Sequence, residues 1–294
     1  MATIAAALVD SVVSDAALQA FTDYMFPLNA MAIDFNDTDE YTINVPLVSA
    51  DAAHNFTAGT TKYSDNAGGA VTGIAVTMSD HKYSPVMLND TQYANSSMIR
   101  LEDMGYQAGE ALAAAVMADV MSEVTNANFS SKLTKGHALF DYDSVVDIKT
   151  LVDGNLAKAN RSLVLNASYY NELLKDEGLK SKAVYGGDVM KSGLMQNVAG
   201  FRNIYECTNI PSNSENLVGF ACNPSAIAMG IRYLGPQPGA DYITAMPIVH
   251  PETGITIGLR KFYDKDAGIM YLIYECNYGY ETGQGDALVR IVSA

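Results

Sequence analysis

From Asp51 to Asp80 the chain is built mostly of Ala, Gly, Thr, Ser and Asn, with few large apolar side chains, and this stretch constrains the fold most. A Ser64-Asp65-Asn66-Ala67-Gly68-Gly69 turn separates two extended pieces, the second alternating at Ile74, Val76 and Met78. The pattern predicts a long two-stranded arm. Ordering each residue costs about 1–2 kcal/mol, and an isolated hairpin is marginal in water, so the arm must rest on another surface. A neighbouring subunit is the simplest candidate.

Composition agrees with a chain that spends much of its surface on interfaces. Of 294 residues, 49% are hydrophobic and only 17% charged, which is low for a freely soluble monomer. The net charge of -15, from 18 Lys+Arg against 33 Asp+Glu, speaks against a dedicated nucleic-acid binder, because phosphate affinity comes from clustered cations. The apolar runs are too short to span a bilayer, so a soluble chain without a membrane partner is expected. Asp10 and Asp15 interrupt the apolar N-terminus, which has no basic lead, so secretion is not expected. Cys207, Cys222 and Cys276 are odd in number, lack C-x-x-C spacing and read as three buried free thiols.

Periodicity divides the remainder. Residues 4–26 place Leu8, Val12, Ala16 and Phe21 at helical spacing until Phe26-Pro27 ends the pattern, an arm that needs something to lie on. Its own domain or a neighbour could supply that surface. Tyr41–Val48 alternates as a strand. Leu101–Thr125 is the longest helix, with Glu102 and Asp103 expected in its first turn. Glu102, Gln107 and Glu110 lie on one side of it, and Asp119, Ser122 and Glu123 on another, as for a helix crossing two environments.

A capping box Ser144-x-x-Asp147 opens a second helix. A strand at Ser162–Leu165 follows, then a helix at Ala167–Lys175 capped by Asn166 and ended by Gly178. Met190–Pro236 continues with strand, polar turn, strand and a short helix from Asn223-Pro224 to about Arg232, so 141–249 reads as an α/β lobe. Ile255–Phe262, Ile269–Tyr278 and Ala287–Val292 are closing strands. Their expected partners are Tyr41–Val48 and the run near Thr72–Met87, which would join the two ends of the sequence.

Catalytic signals are scarce. His54, His81, His137 and His250 are scattered, and no H-E-x-x-H, P-loop or G-x-G-x-x-G occurs, so neither a catalytic residue nor a cofactor or metal is assigned. Asp141 and Asp143 start like a calcium loop, but Val145 stands where an oxygen ligand belongs, and helix capping explains them better. Asp80-His81-Lys82 reads as a solvated turn at the foot of the arm, with a pH-sensitive contact as the alternative. Ile204-Tyr205-Glu206-Cys207 and Ile273-Tyr274-Glu275-Cys276 both read as half-buried strands.

The order of these parts resembles the major capsid proteins of tailed bacteriophages, most sharply in GLMQNVAGFRNIYECTNIP followed by LVGFACNPSAIAMGIRY. The resemblance implies an α+β, HK97-like fold. It implies an N-terminal arm at 1–33, a peripheral strand at 34–50, an extended hairpin at 51–83 and a peripheral domain with a spine helix at 84–140. An axial domain at 141–249 and closing strands at 250–294 complete it. It also implies self-assembly as pentamers and hexamers into an icosahedral shell that contains viral DNA without gripping it, in a virion assembled in the host cytoplasm. Portal, a separate scaffolding protein and a decoration protein are the implied partners. Phe21, Tyr24 and Phe26 on the arm, with Phe56 and Tyr63 on the hairpin, are the expected anchors on neighbours. Some relatives crosslink a hairpin Lys to an Asn; Lys62 and Asn277 lie in suitable segments, but no carboxylate is identified between them and no crosslink is expected. An encapsulin-type shell and a soluble α/β hydrolase are the alternatives.

Overall fold

Helix α1 (Ala2–Met25) lies along the long helix α2 (Met98–Ser122), and two glycines explain why they approach so closely. A Cβ at Gly105 would come within 2.8 Å of Val13 Cγ1, and one at Gly109 within 2.8 Å of the Ala17 carbonyl carbon. The backbones therefore touch at a Gly-x-x-x-Gly notch. Leu101, Ala108, Leu112, Ala113, Val116, Met117, Val120 and Met121 continue the buried stripe at three- and four-residue spacing. The arm thus rests on its own subunit's spine, the surface that sequence periodicity left open.

The computed structural model describes residues 2–25, 28, 30–35, 40–48, 55, 57–58, 60, 71–91, 98–154, 160–176, 195–251 and 254–294. α2 begins at Met98, so Glu102 and Asp103 fall beyond the first turn, contrary to expectation. Its two environments are real. Glu102, Gln107 and Glu110 are exposed, whereas Asp119 accepts from the Tyr278 hydroxyl at 2.5 Å and Glu123 from Thr282 at 3.1 Å.

Beneath the helices runs a sheet ordered β1 (Ala32–Phe35), β10 (Ile227–Arg232), β13 (Ile269–Thr282), β12 (Thr256–Asp264) and β11 (Thr244–Val249). β4 (Asp80–Asn89) also pairs with β13, from Ile269↔Asn89 to Tyr278↔Asp80. The second sheet is ordered β5 (Lys132–Thr134), β14 (Leu288–Val292), β9 (Leu217–Cys222), β6 (Ser162–Leu165), β8 (Phe201–Glu206) and β7 (Met195–Val198). Helices α3 (Tyr142–Gly154) and α4 (Ala167–Lys175) cover it through Val145, Ile148, Val152, Tyr169 and Leu173. Val164, Phe220 and Leu288 from the second sheet belong to the core under α1 and α2, so the two sheets share apolar contacts.

Several expectations change. Asn223 caps Ser225 N–H at 3.2 Å as anticipated, but the turn it starts ends at Ala226, and 227–232 is a strand, not a helix. Ile227, Ala228, Met229 and Ile231 are buried on both faces between β1 and β13, a burial that erases the alternation by which a strand is recognised. With β10 and β11 in the first sheet and β14 in the second, the lobe's sheet does not follow the stretch 141–249. The α3 cap is Asp141, in line with its capping reading, and lies one turn before the Ser144 box: its carboxylate accepts the Ser144 N–H at 2.9 Å and hydroxyl at 2.7 Å. Those bonds hold the Asp141 carboxyl below its ordinary range. Asn166 caps α4 as expected, accepting from Tyr169 N–H at 3.0 Å. Gly178 lies outside the described residues.

Arg290 on β14 joins the two halves. Completely buried, it donates to Phe129 O and Asn126 Oδ1 at 2.7 Å each and pairs with Glu215. Asn213, from the same loop as Glu215, donates to the Met121 and Val124 carbonyls at 2.9 and 2.8 Å, satisfying the end of α2. Asn213, Ser214 and Asn216 all hold positive φ there, so these contacts offset a strained loop.

A candidate assembly surface

β2 (Thr42–Val48) and β3 (Val71–Thr77) pair in antiparallel register from Thr42↔Thr77 to Val48↔Val71. Strand 42–48 was expected among the partners of the closing strands; instead it is the first leg of the hairpin. Only the run after Thr77 joins the large sheet, as β4. The alternation Ile43, Val45, Ile74, Val76 turns one hairpin face inward, where Val45 and Val76 pack on Ala228 of β10. The Ser64–Gly69 turn lies outside the described residues.

Met78, 1% exposed, and Ser79 carry the chain out of the hairpin. Met78 N–H donates to Tyr41 O and Ser79 N–H to Thr77 O, both at 2.9 Å. Asp80-His81-Lys82, expected as a solvated turn, begins β4 and is braced. His81 Nε2 lies 3.2 Å from Glu275, Lys82 Nζ 3.1 Å from Asp119, and Asn277 Nδ2 donates to Asp80 O at 2.9 Å. Glu275 also accepts from Arg260 Nε at 2.7 Å. Burial would depress the Arg260 guanidinium, but its hydrogen bonds with Tyr242 and Glu275 hold it above its ordinary value. Burial, and next the bond to Asp119, raises the Tyr278 hydroxyl. These ties fix the foot of the hairpin to α2 and β13.

One face of the first sheet carries α1 and α2; the other is covered at one end by the hairpin root and over Gly258, Arg260 and Glu275 by Tyr233, Leu234 and Tyr242. What stays open is largely apolar and lies along β4 and toward β11. Tyr83 is 64% and Met87 51% exposed on β4, with half-buried Tyr271 and Phe262 stacked at 4.9 Å between their ring centroids. Ile243, 58% exposed, extends it toward β11. Patches of this kind mark contact surfaces.

The expected anchors divide. Phe21 is completely buried against α2 and is corrected from a neighbour contact to a core residue, because the glycine notch pulls its helix onto the spine. Tyr24 is half-buried and hydrogen-bonded to Asn209. Phe26, Phe56, Lys62 and Tyr63 lie outside the described residues. Asn277 is 7% exposed and occupied by Asp80. Tyr83 and Met87 were missed because their strand reads only as extended; their alternation with buried Val86 and Leu88 was the available signal.

Cys207, Cys222 and Cys276 are buried and outside any disulfide, and burial raises the Cys207 and Cys222 thiols. Among the described residues no three His, Cys, Asp or Glu side chains gather as metal ligands. Nor is any described helix long and apolar enough to cross a membrane.

No protein-family model and no curated protein matches the chain by sequence. Solved structures do match by shape. The capsid of cyanophage P-SCSP1u is similar with a TM-score of 0.59 at 14% identity, over 91% of this chain and 87% of that one. A Mycobacterium phage Che8 structure is similar at 0.55 and 20% identity, over 86% and 85%. A virus-like particle from Pyrococcus furiosus is similar at 0.53 and 12%, over 95% and 97%. With arm, hairpin, spine helix and two sheets in place, the chain has the HK97-like α+β capsid fold.

Proposed function

We propose that the protein is a major capsid protein that assembles as pentamers and hexamers into an icosahedral shell around double-stranded viral DNA. The observation that carries this reading is the open apolar face beside the braced hairpin root, in a fold matched over nearly the whole length of capsid subunits. The hairpin reaches over one neighbour while the open face receives another, and obligate contacts of this kind bury about 2,000–5,000 Å² in total. The acidic chain suits a wall that contains DNA. Portal, scaffolding and decoration proteins are its proposed partners, and the host cytoplasm its place of assembly. No catalytic role is assigned.

Negative-stain microscopy of the purified chain tests the reading. Closed shells are expected; a monodisperse 31.5 kDa monomer at every concentration and salt would sink it. A cellular compartment shell is the second reading, favoured by the near-complete overlap with the Pyrococcus furiosus particle. Shells co-purifying with an enzyme cargo rather than packaging DNA would decide for it.

A further inference from the structure

The hairpin sits on two glycines that face each other across β10 and β13. Gly230 and Gly279 are register partners, so substituents at both would project from the same face of the sheet. At Gly279 a Cβ would overlap the Thr77 carbonyl, standing 2.6 Å from its carbon. At Gly230 it would overlap the Met78 methyl and stand 2.9 Å from Ile43 Cδ1. One glycine therefore receives the main chain of the root and the other its side chains, at the bend where the chain leaves β3 for β4. Ala228 beneath Val45 and Val76 extends the same shallow seat along β10.

We propose that Gly230 and Gly279 form a saddle that sets the angle at which the hairpin leaves the subunit, and with it the geometry of contact between copies. The second clause rests on the shell reading above. Leverage is the physical reason. A lift of about 1 Å at one of two strands spaced about 5 Å apart tilts the hairpin by about 12°. Along seven-residue legs, roughly 23 Å, the far end then moves by about 5 Å. That displacement is larger than side-chain adjustment at a packed contact absorbs.

The test compares Gly279→Ala, Gly230→Ala and the double variant Gly230→Ala/Met78→Ala in the full chain, by hydrogen exchange and electron microscopy. Gly279→Ala, whose obstacle is main chain, is expected to raise exchange at 42–48 and 71–77 about tenfold or more. Gly230→Ala raises it by less, because the ends of Met78 and Ile43 can shift, and in both variants 256–264 and 288–292 stay protected. Their shells become aberrant or absent. In the double variant the nearer of the two side chains struck by the new methyl, Met78, is shortened while Ile43 stays in place, so protection and regular shells return in part. Gly279→Ala has no such rescue, since its obstacle is backbone. The saddle is overturned if both single variants exchange and assemble like the parent, or if 256–264 loses protection in step with the hairpin. A parent chain that forms no shells overturns the shell reading alone, and the exchange pattern still decides the saddle.

Discussion

Gly109 of α2 lies so close to Ala17 of α1 that even a methyl group at position 109 would overlap the Ala17 carbonyl. Alanine is the better helix former by about 1 kcal/mol, yet forcing the helices apart costs about 1–3 kcal/mol and opens the packing around Phe21. The clash wins. Gly109→Ala should lower unfolding free energy in urea, and Gly109→Leu should lower it more. Gly154, where an added Cβ meets nothing within 4 Å, is the control: Gly154→Ala should be neutral or stabilising by up to about 1 kcal/mol. Equal losses at both sites would sink the notch.

Arg290 and Glu215 supply a second prediction. Removing one partner of a buried pair leaves the other's desolvation uncompensated, so Arg290→Ala should cost about 3–5 kcal/mol in urea denaturation. Glu215→Gln leaves the buried guanidinium without its counter-charge but with the Phe129 and Asn126 acceptors, so it should destabilise too, though by less. If Glu215→Gln costs nothing, the ion pair is not what compensates the burial of Arg290.

The Asp141 cap makes a pH-dependent contribution. Its folded carboxyl titrates below the ordinary value of 3.8 because Ser144 hydrogen-bonds the ionised form. The charged cap thus stabilises fully above the unfolded value, and that part is lost as pH falls through the lowered folded value. Asp141→Ala should therefore cost about 1 kcal/mol near neutral pH, and the gap from the parent should narrow below about pH 4. Thermal melts at pH 7 and pH 3 measure both; a gap that widens in acid contradicts the cap.

Tyr83 and Met87 should separate folding from assembly. Both are more than half exposed, so Tyr83→Glu and Met87→Lys should change stability by no more than about 0.5 kcal/mol while weakening self-association. Light scattering against concentration reads the second effect. Normal assembly with both charges in place would remove the open face from the interface.

Helix α4 with its Asn166 cap, the β6 strand and the closing strands were legible because local rules settle them: a cap accepts a nearby N–H, and short alternating or apolar runs extend. The alternation of both hairpin legs was legible for the same reason, though not that 42–48 is one of them. β10 was not, since Ile227–Ile231 is apolar on both sides and its type depends on distant partners in β1 and β13. Glycine at 230 and 279, inside otherwise strand-like runs, was a readable sign of close backbone approach, though not of what approaches.

By itself the sequence determined an α+β chain with an N-terminal helix, a sparse two-stranded arm and a long helix divided between two environments, because each follows from periodicity and local hydrogen bonding. Only the tertiary structure decided where each piece rests. The arm lies on its own spine through Gly105 and Gly109, strand 42–48 pairs with 71–77, and β14 returns to the second sheet with Arg290 buried at the junction. Those choices depend on backbone approach and on burial shared between distant segments, which residue spacing along one chain does not encode.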